Sequence, residues 1–463
     1  MVPPTTPENL SRISKLFVDR DREHPDRALV RRRRHRIVLA CGPDVADSYT
    51  LQLALFTAAN LASRCFPGAV RVEIDDRTAN APALVFSAAG RSIRRALAPI
   101  VGHQALREKW PADEAQHRML FGDIAGPDDA LRVTFDGWVA AVGPSTQVHR
   151  LPERQCCTLA GILAGAIAVS EAFLSFAKVA VDASRRAIAL SLWRPDLDAG
   201  DSEALGIPVE FLPTQMWILG LGHLGQAYLW ALATLPYGQP QSTNIILNDF
   251  DAIEPANVET GMLLRAADIG LFKTRVCSRW LESLGFNTTI VERKFLPDFR
   301  CQPEEPQLTL CGFDSNEARR ALATANFGMV IDCGLGARAS NFDTLNVQTF
   351  PSPRSVEELW PVDRNDALHA ERIARESGVY EELSSDDECG RVLLAGKAVA
   401  VPFVGAVAAT YVVAEILRAL HGGPAYSRLK LRLATPQESL LTTPGAWSAS
   451  AIGGIAHCNA RRL

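Results

Sequence analysis

The chain has ten cysteines in 463 residues, and no two of them form a C-x-x-C pair. This excludes the paired spacing of a structural zinc site, and the spacings do not form a disulfide framework either. The N-terminal stretch MVPPTTPENLSR lacks the apolar run of a secretory signal peptide. We therefore expect reduced thiols and a cytoplasmic protein.

The chain also lacks an excess of basic residues, since its formal net charge is −4. There is thus no electrostatic case for nucleic acid or an anionic membrane as the main partner. What is abundant is apolar sequence, at 47% of 463 residues. That is enough for well-packed cores in two or three domains.

A nucleotide-binding motif lies in the middle of the chain. The apolar run WILGLGHLG carries three glycines at G-x-G-x-x-G spacing, a helical segment follows (QAYLWALATL), and a second apolar run, NIILNDFD, ends in two aspartates. In such a β-turn-α-β unit the glycines let the backbone approach phosphate, and the acid binds a ribose hydroxyl. The residues concerned are Gly220, Gly222, Gly225, Asp249 and Asp251.

The residues that follow, AIEPANVETGMLLRAADIGLFKTRV, resemble the ThiF and ubiquitin-activating-enzyme superfamily. Its pattern is D-x-D, then N-L-x-R-Q, then acid-hydrophobic-Gly and Lys. The stretch LTLCGFDSNEARR is similar to the second signature of the family, a strand ending in T-D-N with an Arg a few residues later. The resemblance covers about residues 212–433, and the matching positions are Asp249, Asp251, Asn257, Asp268–Gly270, Lys273, Asp314, Asn316 and Arg319.

The resemblance implies an α/β, Rossmann-like adenylation domain that uses ATP and magnesium to adenylate the C-terminal glycine of a small protein. On that basis Asp249 would contact ribose, Lys273 and Asn257 would contact phosphate, and Asp314 would hold Mg²⁺, which prefers carboxylate and phosphate oxygens. Taken singly, each has a structural alternative: Lys273 as a helix residue, Asn257 as a cap, and Asp314 as a strand-end turn.

The sequence departs from the family where N-x-x-R-Q requires arginine and glutamine, because Thr260 and Gly261 stand there. Thr cannot reproduce the bidentate phosphate contacts of an arginine. Either Arg265, Arg319 or an arginine of the N-terminal half takes that role, or activity is lower, or the protein is a nucleotide-binding scaffold without turnover. Relatives place an arginine of an N-terminal helix across their dimer interface, and Arg12 is the candidate here. His223, where relatives have a further glycine, is a smaller departure.

The two halves of the chain look like a degenerate internal repeat. Residues 35–195 copy the strand-helix-strand order without the glycine triplet, with ALVFSA and RVTFDGWVAAVG as later strands, and residues 205–440 hold the active unit. Each half ends in an apolar helix with one glutamate, Glu171 or Glu415. We expect a pseudo-dimer of an inactive and an active adenylation domain, with further homodimerisation left open.

Three segments complete the domain prediction. Residues 1–34 form an N-terminal helix and a basic arm, whose run Arg31–Arg34 we interpret as a solvated patch. Residues 441–463 form a C-terminal tail. The two apolar helices approach transmembrane length, but each contains a carboxylate, so we interpret them as buried interface helices and expect no membrane segment.

A polar segment at about 340–400 interrupts the active half and carries one cysteine, Cys389. In the ubiquitin-activating branch a cysteine in this interval attacks the acyl-adenylate, so Cys389 is the candidate thioester nucleophile. Its acidic neighbours would disfavour the thiolate, and a loop cysteine without function is the alternative. Cys301 and Cys458 look exposed and are secondary candidates, whereas the remaining cysteines suit packing.

We thus predict an ATP-dependent activating enzyme for a ubiquitin-like protein with a C-terminal glycine. It would hand its thioester to a separate conjugating-enzyme-like protein, and bacterial antiviral defence is a setting in which some similar enzymes serve. The alternatives are an adenylyltransferase of a sulfur-carrier or peptide-modification pathway without a catalytic cysteine, an NAD-dependent oxidoreductase, and a non-catalytic scaffold.

Overall fold

The computed structural model describes residues 6–86, 90–111, 114–352, 354–360, 366–383, 388–442 and 449–459. Its strands form two large mixed sheets and one small sheet, with helices packed between and around them. The strands are β1 Ile37–Cys41, β2 Val70–Glu73, β3 His117–Phe121, β4 Leu131–Asp136, β5 Val139–Pro144, β6 Ile188–Ser191, β7 Phe211–Pro213, β8 Gln215–Leu219, β9 Asn244–Asn248, β10 Asn287–Val291, β11 Leu308–Cys311, β12 Met329–Leu335, β13 Thr344–Phe350, β14 Arg428–Arg432, β15 Leu440–Thr442 and β16 Ile455–His457.

The α-helices alternate with these strands in the first part of each half, as expected for parallel sheets. They are α1 Ser14–Asp21, α2 Pro25–Arg34, α3 Tyr49–Cys65, α4 Asp76–Asn80, α5 Ile93–Val101, α6 Leu159–Phe176, α7 His223–Ala233, α8 Pro255–Thr260, α9 Lys273–Ser283, α10 Asn316–Ala321, α11 Val356–Leu359, α12 Asp366–Glu376, α13 Val379–Leu383, α14 Glu388–Ala395 and α15 Pro402–Leu420.

The two large sheets have the same topology. The first has the order β2-β1-β3-β4-β5-β6, and the second has β10-β9-β8-β11-β12-β13-β14-β15. In the first sheet, β1 pairs in parallel with β2 and β3, and β5 pairs antiparallel with β4 and β6. In the second sheet, β8 pairs in parallel with β9 and β11, and β13 pairs antiparallel with β12 and β14. The second sheet adds only β10 and β15 at its edges. The mixed α/β class with parallel strands is confirmed, and the shared strand order agrees with the predicted repeat except at the third strand of the first half.

Buried apolar runs explain why the central strands sit where they do. In β1 (IVLAC) every residue is buried, and in β8 (QMWIL) every residue but the first is buried. Continuous apolar runs of this length suit parallel strands covered on both faces. Helices α3 and α6 cover one sheet and α7 and α15 the other, and α6 packs against α15 between the halves.

Glycines allow the helices of the first half to approach closely. A Cβ at Gly161 of α6 would lie 2.5 Å from the carbonyl oxygen of Thr50, and one at Gly165 would lie 2.4 Å from that of Ala54, both in α3. Helices α6 and α15 are long and apolar enough to span a membrane, but 89% of each is buried inside the protein. The prediction of buried interface helices is therefore confirmed.

The glutamates of these helices anchor each half to the other. Glu171 accepts from Arg186 at 2.8 Å, and Arg186 also donates to the carbonyl oxygens of Leu433 and Ala434 in the second half. In the second half, Glu415 pairs with Arg418, whose guanidinium donates to the carbonyl of a residue that follows β6 in the first half, Leu192. Each half thus ends in an ion pair of a buried glutamate with an arginine that donates to the backbone of the opposite half.

The N-terminal arm is attached to the second half, and the solvated-patch interpretation is wrong for Arg32. Its side chain is fully buried. Nη1 donates to Glu259 of α8 at 2.7 Å, and Nε donates to the carbonyl of Cys65 at 2.8 Å. Ser11 donates to the other oxygen of Glu259 at 2.6 Å. A charge buried with a partner and further hydrogen bonds is stable where a lone one is not.

Three segments differ from the predicted elements. Residues 83–86 of the predicted strand ALVFSA form no strand, and the third strand is β3, HRMLF, which the sequence analysis missed. The segment at 340–400 begins with β13, which belongs to the sheet, before its helices α11–α14. The C-terminal tail includes β16, which pairs antiparallel with β7.

Candidate functional site

The glycine loop joins β8 to α7 and has one open position. Gly220 has a φ of +79°, which side chains rarely adopt, and a Cβ at Gly225 would lie 1.9 Å from the carbonyl oxygen of Gly220. By contrast, a Cβ at Gly222 would meet no atom of the described residues within 4 Å. Gly222 precedes the first turn of α7, so backbone N–H groups face open space where a phosphate can approach.

Asp249 fixes this loop to the end of β9. Its carboxylate is buried and accepts from the backbone N–H of Leu221 at 2.6 Å and from that of Asp251 at 2.8 Å. Burial raises the pKa of Asp249, although the charge of Lys273 and the two N–H donors oppose the rise. A carboxylate has about four acceptor positions, so Asp249 can hold the loop and still accept a ribose hydroxyl.

Lys273 begins α9 at the same edge of the sheet. Its Nζ lies 2.7 Å from Oδ2 of Asp251, and the lysine is buried whereas Asp251 is exposed. Burial disfavours the charged amine, but Asp249, Asp251 and Asp314 outweigh it and raise the pKa of Lys273. The lysine is therefore a fixed positive charge beside three carboxylates.

Asp314 follows β11, the neighbour of β8, and is exposed. Mg²⁺ is commonly held by one or two carboxylates together with substrate phosphates, and a single exposed carboxylate next to the lysine fits that requirement. Among the described residues no three His, Cys, Asp or Glu side chains converge on one point, so this part of the chain offers no complete cage for a metal.

Arg319 is turned into the protein. Its Nε lies 3.2 Å from the buried Asp332, and its Nη2 donates to the carbonyl oxygens of Phe313 and Cys333, the latter at 3.0 Å. Arg319 was expected to contact the nucleotide, but its guanidinium instead binds the backbone beside Asp314. Arg265 is exposed and lies at the rim of a cavity between the halves.

The residues of α8 and Gly261, where the family has N-x-x-R-Q, make a different set of contacts. The side chain of Asn257 caps its own helix by accepting from the N–H of Glu254 at 2.9 Å. The space beside Gly261 is filled by Gln226 of α7, which donates to the carbonyl of Leu221 at 2.9 Å and accepts from the N–H of Leu263 at 3.2 Å. Sequence analysis missed Gln226, since nothing local marks it.

Arg12 lies beside α8 with one nitrogen unused. Its Nη2 donates to the carbonyl of Pro7 at 3.1 Å, whereas Nη1 is buried without a hydrogen-bond partner among the described residues. Burial lowers the pKa of Arg12, while Glu254, Glu8 and Glu259 oppose that change. A buried N–H of a cation without an acceptor is costly, so this nitrogen has capacity for an added anion.

In the first half the equivalent loop is closed. Gly42 follows β1, and a Cβ there would lie 2.6 Å from the backbone of Asp123. Asp44 accepts from the N–H of Asp123 at 2.7 Å and pairs with Arg150. Asp123 lies just after β3, so the side chain of Asp44 ties the loop that follows β1 to the end of the neighbouring strand.

Two single residues complete the comparison with the predicted site. His223 packs on Gly405 of α15, with Nε2 3.4 Å from the carbonyl of Pro402, and burial lowers its pKa to about 4. Cys389 lies in the first turn of α14, but its side chain is outside the described residues.

The other two candidate cysteines are poor nucleophiles. Cys301 is buried, contrary to the expectation that it is exposed, and burial raises its pKa to about 11. Cys458 is half-buried, and burial raises its pKa to about 11 as well. The thiolate, not the thiol, is the nucleophile, so neither is poised to attack.

Comparison with known proteins matches both halves to one family. Residues 36–192 match the model of the BilD N-terminal domain, and residues 212–423 match that of the BilD C-terminal domain. The chain is 35% identical to the bacterial E1-like protein BilD of Collimonas sp. (strain OK412), over 93% of this chain and 92% of that protein. It is 33% identical to the Nedd8-activating enzyme E1 catalytic subunit of Drosophila melanogaster, over 24% of this chain and 25% of that protein.

Solved structures match at lower similarity. E. coli MccB bound to succinimide has a TM-score of 0.33 and 18% identity, covering 51% of this chain and 64% of MccB. PaaA has a TM-score of 0.35 and 15% identity, covering 50% of this chain and 72% of PaaA.

Proposed function

Because the chain belongs to the BilD family of bacterial E1-like proteins, we propose that it is an ATP-dependent enzyme that activates a partner protein at its C-terminal carboxylate. The observation that carries the proposal is one edge of the second sheet. The open position at Gly222, the loop-fixing Asp249 and the Lys273–Asp251 pair all lie there. This is the arrangement that phosphate and ribose recognition require.

The first half is proposed to be a degenerate adenylation domain and the molecule a pseudo-dimer. Two findings support this: the shared strand order of the two sheets, and the carboxylate of Asp44 in the closed loop of the first half. The inactive half then replaces the second subunit that a homodimer would supply, and α6 packed on α15 is the interface.

In the proposed reaction a carboxylate oxygen of the partner attacks the α-phosphorus of ATP. The bond from the α-phosphorus to the bridging oxygen breaks, and pyrophosphate leaves with both electrons of that bond. Lys273 neutralises charge on the phosphates, and the N–H groups at the start of α7 bind phosphate oxygens. Asp314 would hold Mg²⁺, which supplies positive charge to the phosphates. Arg12 is proposed to bind phosphate through Nη1, in place of the arginine that the family pattern has at Thr260.

The further steps are also proposals. Cys389 would attack the acyl-adenylate and release AMP, giving a thioester that passes to a separate conjugating-enzyme-like protein. A ubiquitin-like protein with a C-terminal glycine is the proposed partner, the cytoplasm the proposed location, and antiviral defence the proposed setting. If Cys389→Ala leaves product formation unchanged, the enzyme is instead an adenylyltransferase without a thioester.

Nucleotide-dependent thermal stabilisation tests the proposal without knowledge of the partner. Wild-type protein should be stabilised by ATP with Mg²⁺ and not by NAD, by ~2.7 kcal/mol at a hundredfold excess over Kd. The matched variant is Gly222→Ala, because its methyl group would meet no protein atom but would intrude on the phosphate. It should melt like wild type without nucleotide and show no ATP shift. Stabilisation by NAD alone would overturn the proposal in favour of an oxidoreductase.

A further inference from the structure

A cavity of about 690 Å³ lies between the two halves. Its walls are α3, α5, Phe86 and Arg91 of the first half, Asn9 and Ser11 of the N-terminal arm, and α7, α9 and residues 255–265 of the second half. Cavities of this size at an interface between domains are where ligands commonly bind. It is open to solvent, since several of its lining residues are exposed.

The floor of this interdomain cavity is aromatic. Trp230 and Trp280 lie nearly parallel, with ring centroids 6.3 Å apart, and Phe86 contacts both edge-on at 4.6 and 5.7 Å. Phe86 has a φ of +55°, a strained conformation for a bulky residue. The strained backbone places this ring against the two tryptophans, and such strain is concentrated at functional sites.

The polar groups of the cavity favour an anion. Arg91 and Arg265 are exposed at its rim, and neither forms an ion pair within the part of the chain that the structure describes. The one acid among the described residues of the lining, Glu259, is engaged by Arg32 and Ser11. The hydroxyl of Ser63 is buried in the wall, and no described residue forms a hydrogen bond with it. An occupant with carboxylates would satisfy these groups.

The aromatic floor of the cavity lies away from the nucleotide-binding ends of α7 and α9. Trp230 lies seven residues beyond His223, at the start of α7, and Trp280 seven beyond Lys273, at the start of α9. At 1.5 Å per residue both tryptophans are roughly 10 Å from the nucleotide end. Because Met262 lines the cavity, an occupant would also contact the segment that follows α8. The carbonyl of Met262 accepts a hydrogen bond from Arg64 at 2.9 Å.

We propose that the interdomain cavity is a docking site for an acidic segment of a partner protein that carries a tryptophan or phenylalanine. The ring would stack in the aromatic floor, where rings pack edge-to-face or offset, and the adjacent carboxylates would pair with Arg91 and Arg265. A protein segment is favoured over a metabolite because the cavity is open at the arginine rim, where a chain can enter and leave. The site does not depend on adenylation chemistry.

The test uses the full chain and the capped peptide Ac-Trp-Glu-Glu-NH2, with binding followed by saturation-transfer NMR. We expect a Kd of ~1 mM, typical of a short ligand with few contacts. The double variant Arg91→Glu/Arg265→Glu should weaken this peptide at least tenfold and bind Ac-Trp-Lys-Lys-NH2 instead. Arg33→Glu, an exposed arginine of α2, is the matched control and should change neither.

A second variant separates binding from folding. Ala96→Trp fills the cavity from α5, at a half-buried position, and should abolish peptide binding while the ATP-induced thermal shift remains. The proposal is overturned if acidic and basic peptides bind wild type equally, or if neither binds at 10 times the expected ~1 mM Kd. It is also overturned if N-acetyltryptophan binds as tightly as the tripeptide, since a small acid would then suffice.

Discussion

Gln226 and Gly261 share one volume between α7 and the segment after α8. A Cβ at Gly261 would lie 2.6 Å from Oε1 and 2.8 Å from Nε2 of Gln226. The superfamily pattern has glutamine at the position of Gly261, whereas here an amide enters the same space from α7. It connects the carbonyl of Leu221 in the glycine loop with the N–H of Leu263, so the amide of Gln226 compensates for the glycine at 261.

This relationship predicts coupling between the two positions. Gly261→Ala should destabilise by about 1–3 kcal/mol through overpacking, and Gln226→Ala by about 1–3 kcal/mol through unpaired buried groups. Gly261→Gln in the Gln226→Ala background should recover part of that stability, because the amide returns from the other side. Urea unfolding of these variants and wild type measures the coupling, and strict additivity would contradict it.

Lys273 is expected to act on reaction rate more than on folding. Lys273→Met keeps the buried stem but removes the charge, and should slow ATP-dependent pyrophosphate release by about 10²–10³-fold, as removal of one preorganised group does. Lys294→Met, elsewhere in the second half, should leave the rate unchanged. If both variants react at the wild-type rate, Lys273 is only the partner of Asp251.

Arg12 is predicted to replace the arginine missing at Thr260. Arg12→Ala should lower the rate of pyrophosphate release by about 10²-fold, and Arg12→Lys should not restore it, because an ammonium lacks the planar fork. The melting temperature without nucleotide should fall only slightly, since the substitution removes the hydrogen bond from Nη2 to the carbonyl of Pro7, and one such bond contributes about 0.5–1.5 kcal/mol. A variant that unfolds at the same time as it becomes inactive would point to a structural role.

The crossed ion pairs predict that the two halves unfold together. Glu171→Ala removes the buried carboxylate from the half-buried Arg186, which keeps the exposed Asp182 as an ionic partner, and should cost about 1–3 kcal/mol. Because Arg186 also donates to Leu433 and Ala434, fluorescence and far-UV circular dichroism should report one shifted transition. Two separated transitions in this variant would show that the pair stabilises the first half alone.

Two half-buried histidines predict reduced stability in mild acid. Partial burial lowers the pKa of His35 to about 3 and that of His117 to about 4, and Nε2 of His35 has no hydrogen-bond partner in the described part of the chain. Since the unfolded histidines titrate near 6.5, the unfolded state binds more protons below that pH. Stability should therefore be complete above pH 6.5 and fall by up to ~1.4 kcal/mol per pH unit per histidine towards pH 4.

The control for this pH dependence is His35→Phe, which keeps the ring stacked against Phe66 and Phe176. Its urea midpoint should fall less than that of wild type between pH 7 and pH 5. An equal fall in both proteins would assign the acid sensitivity to other groups.

The sequence predicts an element or a site residue correctly when the residues that determine it are close together in the chain. The glycine triplet, the strand-end aspartates and the apolar helices with one glutamate are set by turn sterics and periodicity within a few residues, and the fold of both halves followed from them. The prediction of a strand at ALVFSA was wrong because a short apolar run is found in any buried segment. The third strand is HRMLF, which was missed because its first two residues are half-exposed and polar.

What the sequence by itself determined is the doubled α/β architecture and the edge of the second sheet where Gly222, Asp249 and Lys273 lie. Only the tertiary structure decided where the long polar side chains lie and what they contact. Arg32 is buried against Glu259, 227 residues away in the chain, Arg319 is turned inward onto Asp332, and Gln226 fills the space at Gly261. The reason is physical: a flexible polar side chain is placed by the partners it finds across the fold, and the residues next to it do not specify them.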